Sequence, residues 1–441
     1  MASTEVGRQL VHIAVGAVAL TLRFLTWWQA AILATVAVAA NALVLPRLAR
    51  SIYRPGDRRS TLTSGIVIYP LSILALILAF PHRLDLVAVA WAILAAGDGS
   101  ATLVGAHVGT APLAWNPAKS WGGLLAFVVC GGAAGLGLTM WHHPDVDMTW
   151  SLAAPPILAA VIAGFVETAP IRLDDNFSVP VAAAAVLWSL APVTPGALSL
   201  SLPGAVSRLP GALALNLLVA AVAWRARTVT PAGAIAGACI GTAICFGAGW
   251  TGWMLLFASF AVAMVATRAG FRRKATLGIA EGHGGRRGVG NAVANTAVGA
   301  WAALIALGAA RPELPLVAMV AALVAASSDT VSSEVGKAWG RTTWLVTGFR
   351  PVPPGTSGAV SLEGTMAGIL AALGLAALAA AIGLVPAGAV LAVVIGATLA
   401  SLAESALGAT LEAPGILDND ALNFVNSALG AGVALAVFTL V

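Results

Sequence analysis

The sequence predicts an all-α fold: a polytopic helical membrane protein built from two tandem, related modules. Three observations lead there. Of 441 residues, 59% are hydrophobic and 9% are charged, whereas about a quarter are charged in a typical soluble domain. Long stretches carry no Asp, Glu, Lys or Arg: Phe24–Pro46, Ser60–Pro81, Met148–Val166, Phe177–Ser207, Thr228–Thr267, Gly288–Ala310, Gly364–Ala403 and Ala421–Val441. Finally, one set of polar motifs occurs twice, in the same order.

A bilayer is crossed by about 20 apolar residues in a helix. The two 40-residue stretches, Thr228–Thr267 and Gly364–Ala403, therefore read as helical hairpins. All plausible segments together give about 12–16 transmembrane helices. Alanine and glycine dominate them, which suits close helix–helix approach in lipid. A β-barrel would instead need alternating strands of about 10 residues. Glu5, Arg8 and His12 interrupt the first segment, and no small-residue cleavage site follows a short apolar core, so a removable signal peptide is not expected. Cys130, Cys239 and Cys245 lie in apolar surroundings without a CxxC pair, so neither zinc nor a disulfide frame is indicated.

The net charge of +5 comes mainly from short loops rather than one basic face, so no nucleic acid partner is expected. Arg47, Arg50, Arg54, Arg58 and Arg59 share one connector; Arg268, Arg272, Arg273, Lys274, Arg286 and Arg287 share another. The positive-inside rule places both in the cytoplasm, with the bacterial plasma membrane as the expected location. The polar stretches are too short to fold alone. The segment 196–210, with Pro203 and Pro210, reads as a linker between modules at 1–195 and 211–441.

The repeat is specific. Asp98, Gly105 and Gly109 follow the pattern D-x6-G-x3-G, and so do Asp329, Gly336 and Gly340. Ser120-Trp-Gly-Gly123 matches Ser361-Leu-Glu-Gly364. Glu167 followed by Asp174-Asp175-Asn176 matches Glu404 followed by Asp418-Asn419-Asp420. Four matches in order indicate two related modules.

An ionisable group at membrane depth costs about 2.5–3.5 kcal/mol even on the lenient insertion scale, so these acids are chemical candidates. Lys119, Ser120 and the following glycines offer a cation, a hydroxyl and backbone N–H groups where a helix begins, a natural anion site. Carboxylates with an Asn are hard oxygen ligands that suit Mg2+ held together with substrate phosphates. Positioning plus metal and cation is what phosphoryl transfer requires. There is no P-loop and no HExxH. In the second half, Arg287 follows the glycine-rich loop at 282–285, Asn291 and Asn295 share a helix face, and Val352-Pro-Pro-Gly355-Thr-Ser357-Gly358 forms a hydroxyl-rich turn.

Residues 1–195 resemble the phytol kinase/dolichol kinase family, itself distantly similar to CDP-diacylglycerol synthases. The resemblance rests on Glu5-x2-Arg8-x3-His12, Gly97-Asp98-Gly99 with Gly105 and Gly109, Lys119-Ser120-x-Gly-Gly, and Glu167 with Asp174-Asp175-Asn176-Phe-Ser-Val-Pro180. Gln9, where a basic residue is usual, and Gly122, where Glu is common, depart from that pattern. Residues 211–441 resemble a membrane family that includes plant phytyl-phosphate kinase. Here the carriers are Thr230-Pro-Ala-Gly233, Arg287-x3-Asn291-x3-Asn295, Ser328-Asp329-Thr-x3-Glu334-x-Gly336, the Val352–Gly358 turn, Ser361-Leu-Glu363-Gly364, and Leu417-Asp418-Asn419-Asp420 with Asn423.

The resemblance implies two consecutive phosphorylations. The first module would convert a prenyl alcohol such as phytol or geranylgeraniol to its monophosphate, and the second would convert the monophosphate to the diphosphate. The donor would be CTP with Mg2+. Asp98, Lys119, Asp175, Asp329, Glu334 and Asp418 are then the catalytic candidates, with Asp98, Asp175, Asp329 and Glu334 as metal ligands. Substrate and nucleotide contacts fall to Gly105, Gly109, Ser120, Glu167, Asn176, Arg287, Asn291, Asn295, Ser357, Glu363, Glu404 and Asn419. A CTP-using cytidylyltransferase, a transporter built from tandem repeats and a non-catalytic scaffold are the other readings. The first would release pyrophosphate, the second would carry its charges at span centres, and the third would need no repeated acidic sets.

Overall fold

The computed structural model describes residues 3–48, 64–108, 110–279, 286–412 and 415–440. It divides into two compact units, Met1–Ala191 and Pro192–Val441. Most of the arginine connector at 49–63, the glycine loop at 280–285 and Gly109 lie outside the described residues.

The first unit begins with α1 (Ser3–Gly16), which tightens into a 3-10 segment to Phe24, and α2 (Trp27–Ala39), which continues helical to Arg47. Next come α3 (Gly65–Ala79), α4 (Leu84–His107), α5 (Trp121–His142), α6 (Trp150–Thr168) and α7 (Asp175–Leu190). Helix α4 is the axis. Every residue from Leu86 to Ala95 is buried, so it has no lipid-facing stripe, and α1, α5 and α7 pack around it. A helix apolar on all sides belongs inside a bundle. Hydrocarbon gives two helices no hydrophobic drive to associate, so close van der Waals fit must hold them. The α4–α5 crossing shows this fit: a Cβ on Gly97 would stand 2.8 Å from the Phe127 ring.

The second unit comprises α8 (Pro195–Arg225), α9 (Pro231–Arg268), the short α10 (Phe271–Thr276), α11 (Val289–Gly308), α12 (Glu313–Trp339), α13 (Leu362–Ala381), α14 (Ala389–Leu407) and α15 (Asn419–Leu440). Helix α12 is its axis, with Val317–Ser328 buried throughout. Between α12 and α13 runs a small antiparallel sheet in the order β2-β1-β3, formed by β1 (Thr343–Leu345), β2 (Pro351–Val352) and β3 (Ala359–Ser361). Leu200, Leu217, Leu218 and Val222 on α8 are exposed, as residues facing acyl chains must be.

Eleven helices among the described residues are long and apolar enough to cross a membrane, and α3 is a shorter apolar helix. One of the eleven, α9, has 38 residues, about 57 Å if straight, against a hydrocarbon core of about 30 Å. It is not straight. Gly249 has φ +72° and ψ −167°, and beyond it the chain doubles back, so that Gly233 and Gly237 of the first arm line one cavity with Phe257 and Ala263 of the second. The expected hairpin at Thr228–Thr267 is therefore α9, and the one at Gly364–Ala403 is α13 with α14. Counting the arms of α9 separately and adding α3 gives thirteen apolar helices, inside the expected range.

The segment expected as a linker, 196–210, instead lies within α8, and the division between units falls at 191/192. Pro203 and Pro210 sit inside that helix. Proline ends helices in water, whereas membrane bundles re-satisfy the freed backbone groups, and so the sequence signal fails here.

The φ/ψ pair of Gly249 is one that only glycine adopts readily, and a Cβ there would meet nothing within 4 Å. Gly249→Ala is therefore expected to lower stability by about 1–3 kcal/mol from backbone strain alone. Denaturant unfolding in detergent checks this, with Gly432→Ala, where a Cβ also meets nothing but the backbone is helical, as the neutral control.

Candidate functional site

In the first unit the polar groups meet where α4 ends and α5 and α7 begin. Asp98, Glu167 and Asp175 each place a carboxylate oxygen within 4.8 Å of the other two. Lys119, just ahead of α5, donates to Glu167 and to Asp175, the latter at 3.2 Å. Glu167 is buried, and Asp98 and Asp175 are partly buried. His12 of α1 approaches Asp98 at 3.6 Å. Burial opposes the charge of Lys119, but the carboxylates of Glu167 and then Asp175 outweigh it and hold the ammonium above its ordinary value of 10.5. Three oxygens at this spacing around a cation suit a hard divalent ion that keeps water in its shell.

The surrounding residues brace this cluster. Ser120 caps α5 by accepting from the Gly123 N–H at 3.2 Å, and a Cβ on Gly105 would stand 3.3 Å from that hydroxyl. Asp174 caps α7, accepting at 2.9 Å from the N–H of Asn176 and at 2.8 Å from its side chain. Asn176 thus supports the turn that carries Asp175. Asn116 donates to the Thr168 carbonyl at 3.1 Å and ties the Lys119 loop to the end of α6.

The second unit repeats this plan locally. Helices α12–α15 follow the order and mutual packing of α4–α7. Ser361 caps α13 through the Gly364 N–H at 3.1 Å, and a Cβ on Gly336 would stand 2.9 Å from the Ser361 hydroxyl. Asp418 caps the last helix through the Ala421 N–H at 2.8 Å. Asp329 and Glu404, the counterparts of Asp98 and Glu167, meet directly as a carboxyl pair, with Ser401 donating to Asp329 at 3.2 Å. Such a pair requires a shared proton or a nearby cation. They line a polar cleft together with Lys337, Ser332, Ser357, Glu412 and Asn419. The turn expected at Val352–Gly358 forms one wall. Gly355 and Gly358 there have φ of +86° and +75°, and Ser357 donates to Glu412 and, at 3.3 Å, to the Gly408 carbonyl.

A second cavity, almost wholly apolar, lies between the arms of α9 and helices α8, α11 and α12. Trp253, Phe257, Phe260 and Leu323 line it, and Arg287, Asn291 and Asn295 mark the end near the start of α11. Arg287 donates to Asn291 at 2.7 Å. Asn295 and Ser259 are buried, and neither the Asn295 Oδ1 nor the Ser259 Oγ has a hydrogen-bond partner. Helix α12 separates the two spaces: Ser327 and Thr330 face the apolar one, and Ser328, Asp329 and Ser332 face the polar one.

The expected grouping of Asp329, Glu334 and Asp418 is not assembled. Five residues along a helix turn a side chain by about 140°, so Glu334 faces away from Asp329. It is buried against Lys274, which also donates to the Thr267 carbonyl at 2.9 Å. Asp418 is spent as a helix cap. Arg287, Asn291 and Asn295 belong to the apolar cavity rather than to the carboxyl pair, and Glu363 lies 4.0 Å from exposed Arg341, away from the cleft lining. Among the described residues no third acid joins Asp329 and Glu404 at metal-ligand spacing. Sequence reading missed Lys337, Ser401 and Glu412. Lys337 was legible in principle as the cation one step past Gly336, since position 360, the counterpart of Lys119, is Val.

The family described as "Integral membrane protein DUF92" matches residues 214–431. An uncharacterized membrane protein of Synechocystis is 39% identical over 224 residues, covering 50% of this chain and 86% of that protein. Protein VTE6, chloroplastic, of Arabidopsis thaliana is 38% identical over 194 residues, covering 42% of this chain and 58% of that protein. Probable phytol kinase 2, chloroplastic, of Oryza sativa is 31% identical over 197 residues, covering 40% of this chain and 63% of that protein. The chain thus spans less than two thirds of the last two. No solved structure matches the chain.

Removing Lys119 leaves buried Glu167 without its cation, and breaking such a pair costs about 3–5 kcal/mol. Lys119→Met is expected to lose stability on that order, and the double variant Lys119→Met/Glu167→Gln to regain most of it; a double-mutant cycle by thermal unfolding measures the coupling. Because Lys119 is held above 10.5, its contribution is fully present below that value and is lost only as pH rises through the raised one. The wild-type advantage over Lys119→Met/Glu167→Gln should therefore show no lysine-linked loss between pH 6 and 9.

Proposed function

The chain belongs to the integral membrane protein DUF92 family, and from that premise we propose that it is a bifunctional isoprenoid-alcohol kinase. Its first unit phosphorylates a prenyl alcohol to the monophosphate, and its second phosphorylates the monophosphate to the diphosphate, both with CTP. The observation that carries this reading is the repeated site: Asp98, Glu167 and Asp175 around Lys119 in one unit, and Asp329, Glu404 and Asn419 with Lys337 in the other. Relatives named as phytol kinases support the phosphotransferase class.

The roles follow from position. In the first unit Asp98, Glu167 and Asp175 would hold Mg2+, which supplies charge neutralisation between donor and acceptor oxygens when bound. Lys119 orients Glu167 and Asp175 and presents a cation to donor phosphates. In the second unit Lys337 and the hydroxyls of Ser332, Thr356 and Ser361 line the cleft for a triphosphate, beside the Asp329–Glu404 pair. The apolar cavity takes the prenyl chain, with Arg287 and Asn291 at the end where the phosphate would sit. Arginine suits that place because its fork binds phosphate oxygens in pairs. Keeping both steps in one membrane protein spares the amphiphilic intermediate an aqueous passage. The sites are assigned to the cytoplasmic face, where CTP is available and where the arginine connectors place these ends.

Purified full-length protein in nanodiscs, given γ-labelled CTP with phytol or phytyl phosphate, tests this reading. Asp98→Asn is expected to reduce alcohol phosphorylation, and Asp329→Asn diphosphate formation, each by about a hundredfold or more. Normal diphosphate formation by Asp329→Asn sinks the second assignment, and normal monophosphate formation by Asp98→Asn sinks the first. Release of pyrophosphate in place of CDP identifies a cytidylyltransferase instead. Arg287→Leu should raise KM for phytyl phosphate about tenfold or more with a smaller change in kcat, and EDTA should abolish both steps until Mg2+ is restored.

A further inference from the structure

The two sites differ at a position that directly follows a helix-capping aspartate in both units. In each, an aspartate caps the last helix: the Asp174 carboxylate accepts from the Asn176 N–H at 2.9 Å, and the Asp418 carboxylate from the Ala421 N–H at 2.8 Å. The next residue opens the helix on the side of the acids. In the first unit it is Asp175, 3.2 Å from Lys119 and within 4.8 Å of Asp98 and Glu167. In the second it is Asn419, which lines the cleft with Asp329 and Glu404; a Cβ on Gly290, three residues past Arg287, would collide with the carboxylate of the adjoining Asp420, so this helix start also lies against the start of α11. A carboxylate and a carboxamide have nearly the same shape and differ by one charge.

We propose that this position selects the acceptor by charge: Asp175 admits a neutral prenyl alcohol, and Asn419 admits a phosphate monoester. The assignment rests on reading the two sites as consecutive kinases. In the first reaction the alcohol oxygen bonds to the terminal phosphorus of a nucleoside triphosphate. The bond to the nucleoside diphosphate breaks, its electron pair leaves with that group, and the alcohol proton passes to solvent. In the second, a dianionic phosphate oxygen makes the same displacement and no proton is released. The second acceptor therefore brings two negative charges where the first brings none. A carboxylate at the entry repels it, whereas an amide N–H2 donates to it.

Exposure supports an acceptor-facing position. Side-chain exposure is 35% at Asp175, against 19% at Asp98 and 4% at Glu167. Asn419 is likewise exposed while Glu404 is buried. The Oε2 of Glu404 is buried and has no hydrogen-bond partner, so this carboxyl is set back from the exposed Asn419 at the cleft. Glu412, which accepts from Ser357, also lines this cleft about two helical turns past Glu404. Lys337 lines the cleft on that side, with its ammonium 3.7 Å from the Glu334 carboxylate.

The test compares wild type, Asn419→Asp and Asn419→Ala as full-length proteins in nanodiscs. Equilibrium binding of tritiated geranylgeranyl monophosphate is measured in EDTA without nucleotide, and KM and kcat for diphosphate formation are measured separately with CTP and Mg2+. Asn419→Asp should weaken the tight binding component and raise KM by about tenfold or more, with kcat within about twofold and the defect shrinking as salt rises. Asn419→Ala should fall between wild type and Asn419→Asp. Unchanged monophosphate binding by Asn419→Asp overturns the assignment. So does an equal, salt-independent loss in both variants, which is the mark of lost packing. Matching thermal unfolding of the three proteins excludes misfolding as the cause. If wild type forms neither product, the kinase reading itself falls, and this assignment with it.

Discussion

A carboxylate on a helix with no lipid-facing side is the constraint on which both units are built. Asp98 and Asp329 sit on α4 and α12, whose preceding turns are buried all round by apolar side chains. Such a group cannot reach water by rotating outward, so it needs partners where it stands. In the first unit the partners are an ammonium and two more carboxylates suited to a metal; in the second they are a second carboxyl and a serine. The helix caps at Ser120, Asp174, Ser361 and Asp418 hold the loops around these groups.

Glycine and alanine make the arrangement possible. Membrane helices gain nothing from hiding apolar surface among lipid tails, so the axes must be gripped by contact. Gly97 against Phe127 and Gly336 against Ser361 bring backbones near enough that a helix start from one segment can approach an acid on another. Around this shared frame the units diverge. The first compresses its polar groups into one cluster. The second opens a polar cleft on one side of α12 and an apolar cavity on the other. That separation fits a substrate with an anionic head and a long hydrocarbon chain.

Much of this was legible in the sequence because membrane insertion is a strong filter. Uncharged stretches gave the helices, including the hairpin at Gly249, and the order of motifs gave the matching of Asp98 to Asp329 and of Glu167 to Glu404. What misled were rules whose physics changes inside a bundle. Pro203 and Pro210 suggested a linker, but α8 absorbs them. Glu334 looked like a ligand by its spacing from Asp329, yet helical rotation sends it to Lys274. Asp418 carried the right chemistry and is occupied by a backbone N–H. Asn419, the residue beside it and already a substrate-contact candidate in the sequence, reaches the cleft.

The proposal of two phosphoryl-transfer sites in one chain is tested most directly by a single-turnover time course with tritiated prenyl alcohol and CTP, resolved by chromatography. The expected result is a monophosphate that rises and falls and a diphosphate that appears after a lag, with CDP released at each step. A diphosphate formed without a transient monophosphate, or tritium remaining wholly in the alcohol, would contradict two consecutive sites.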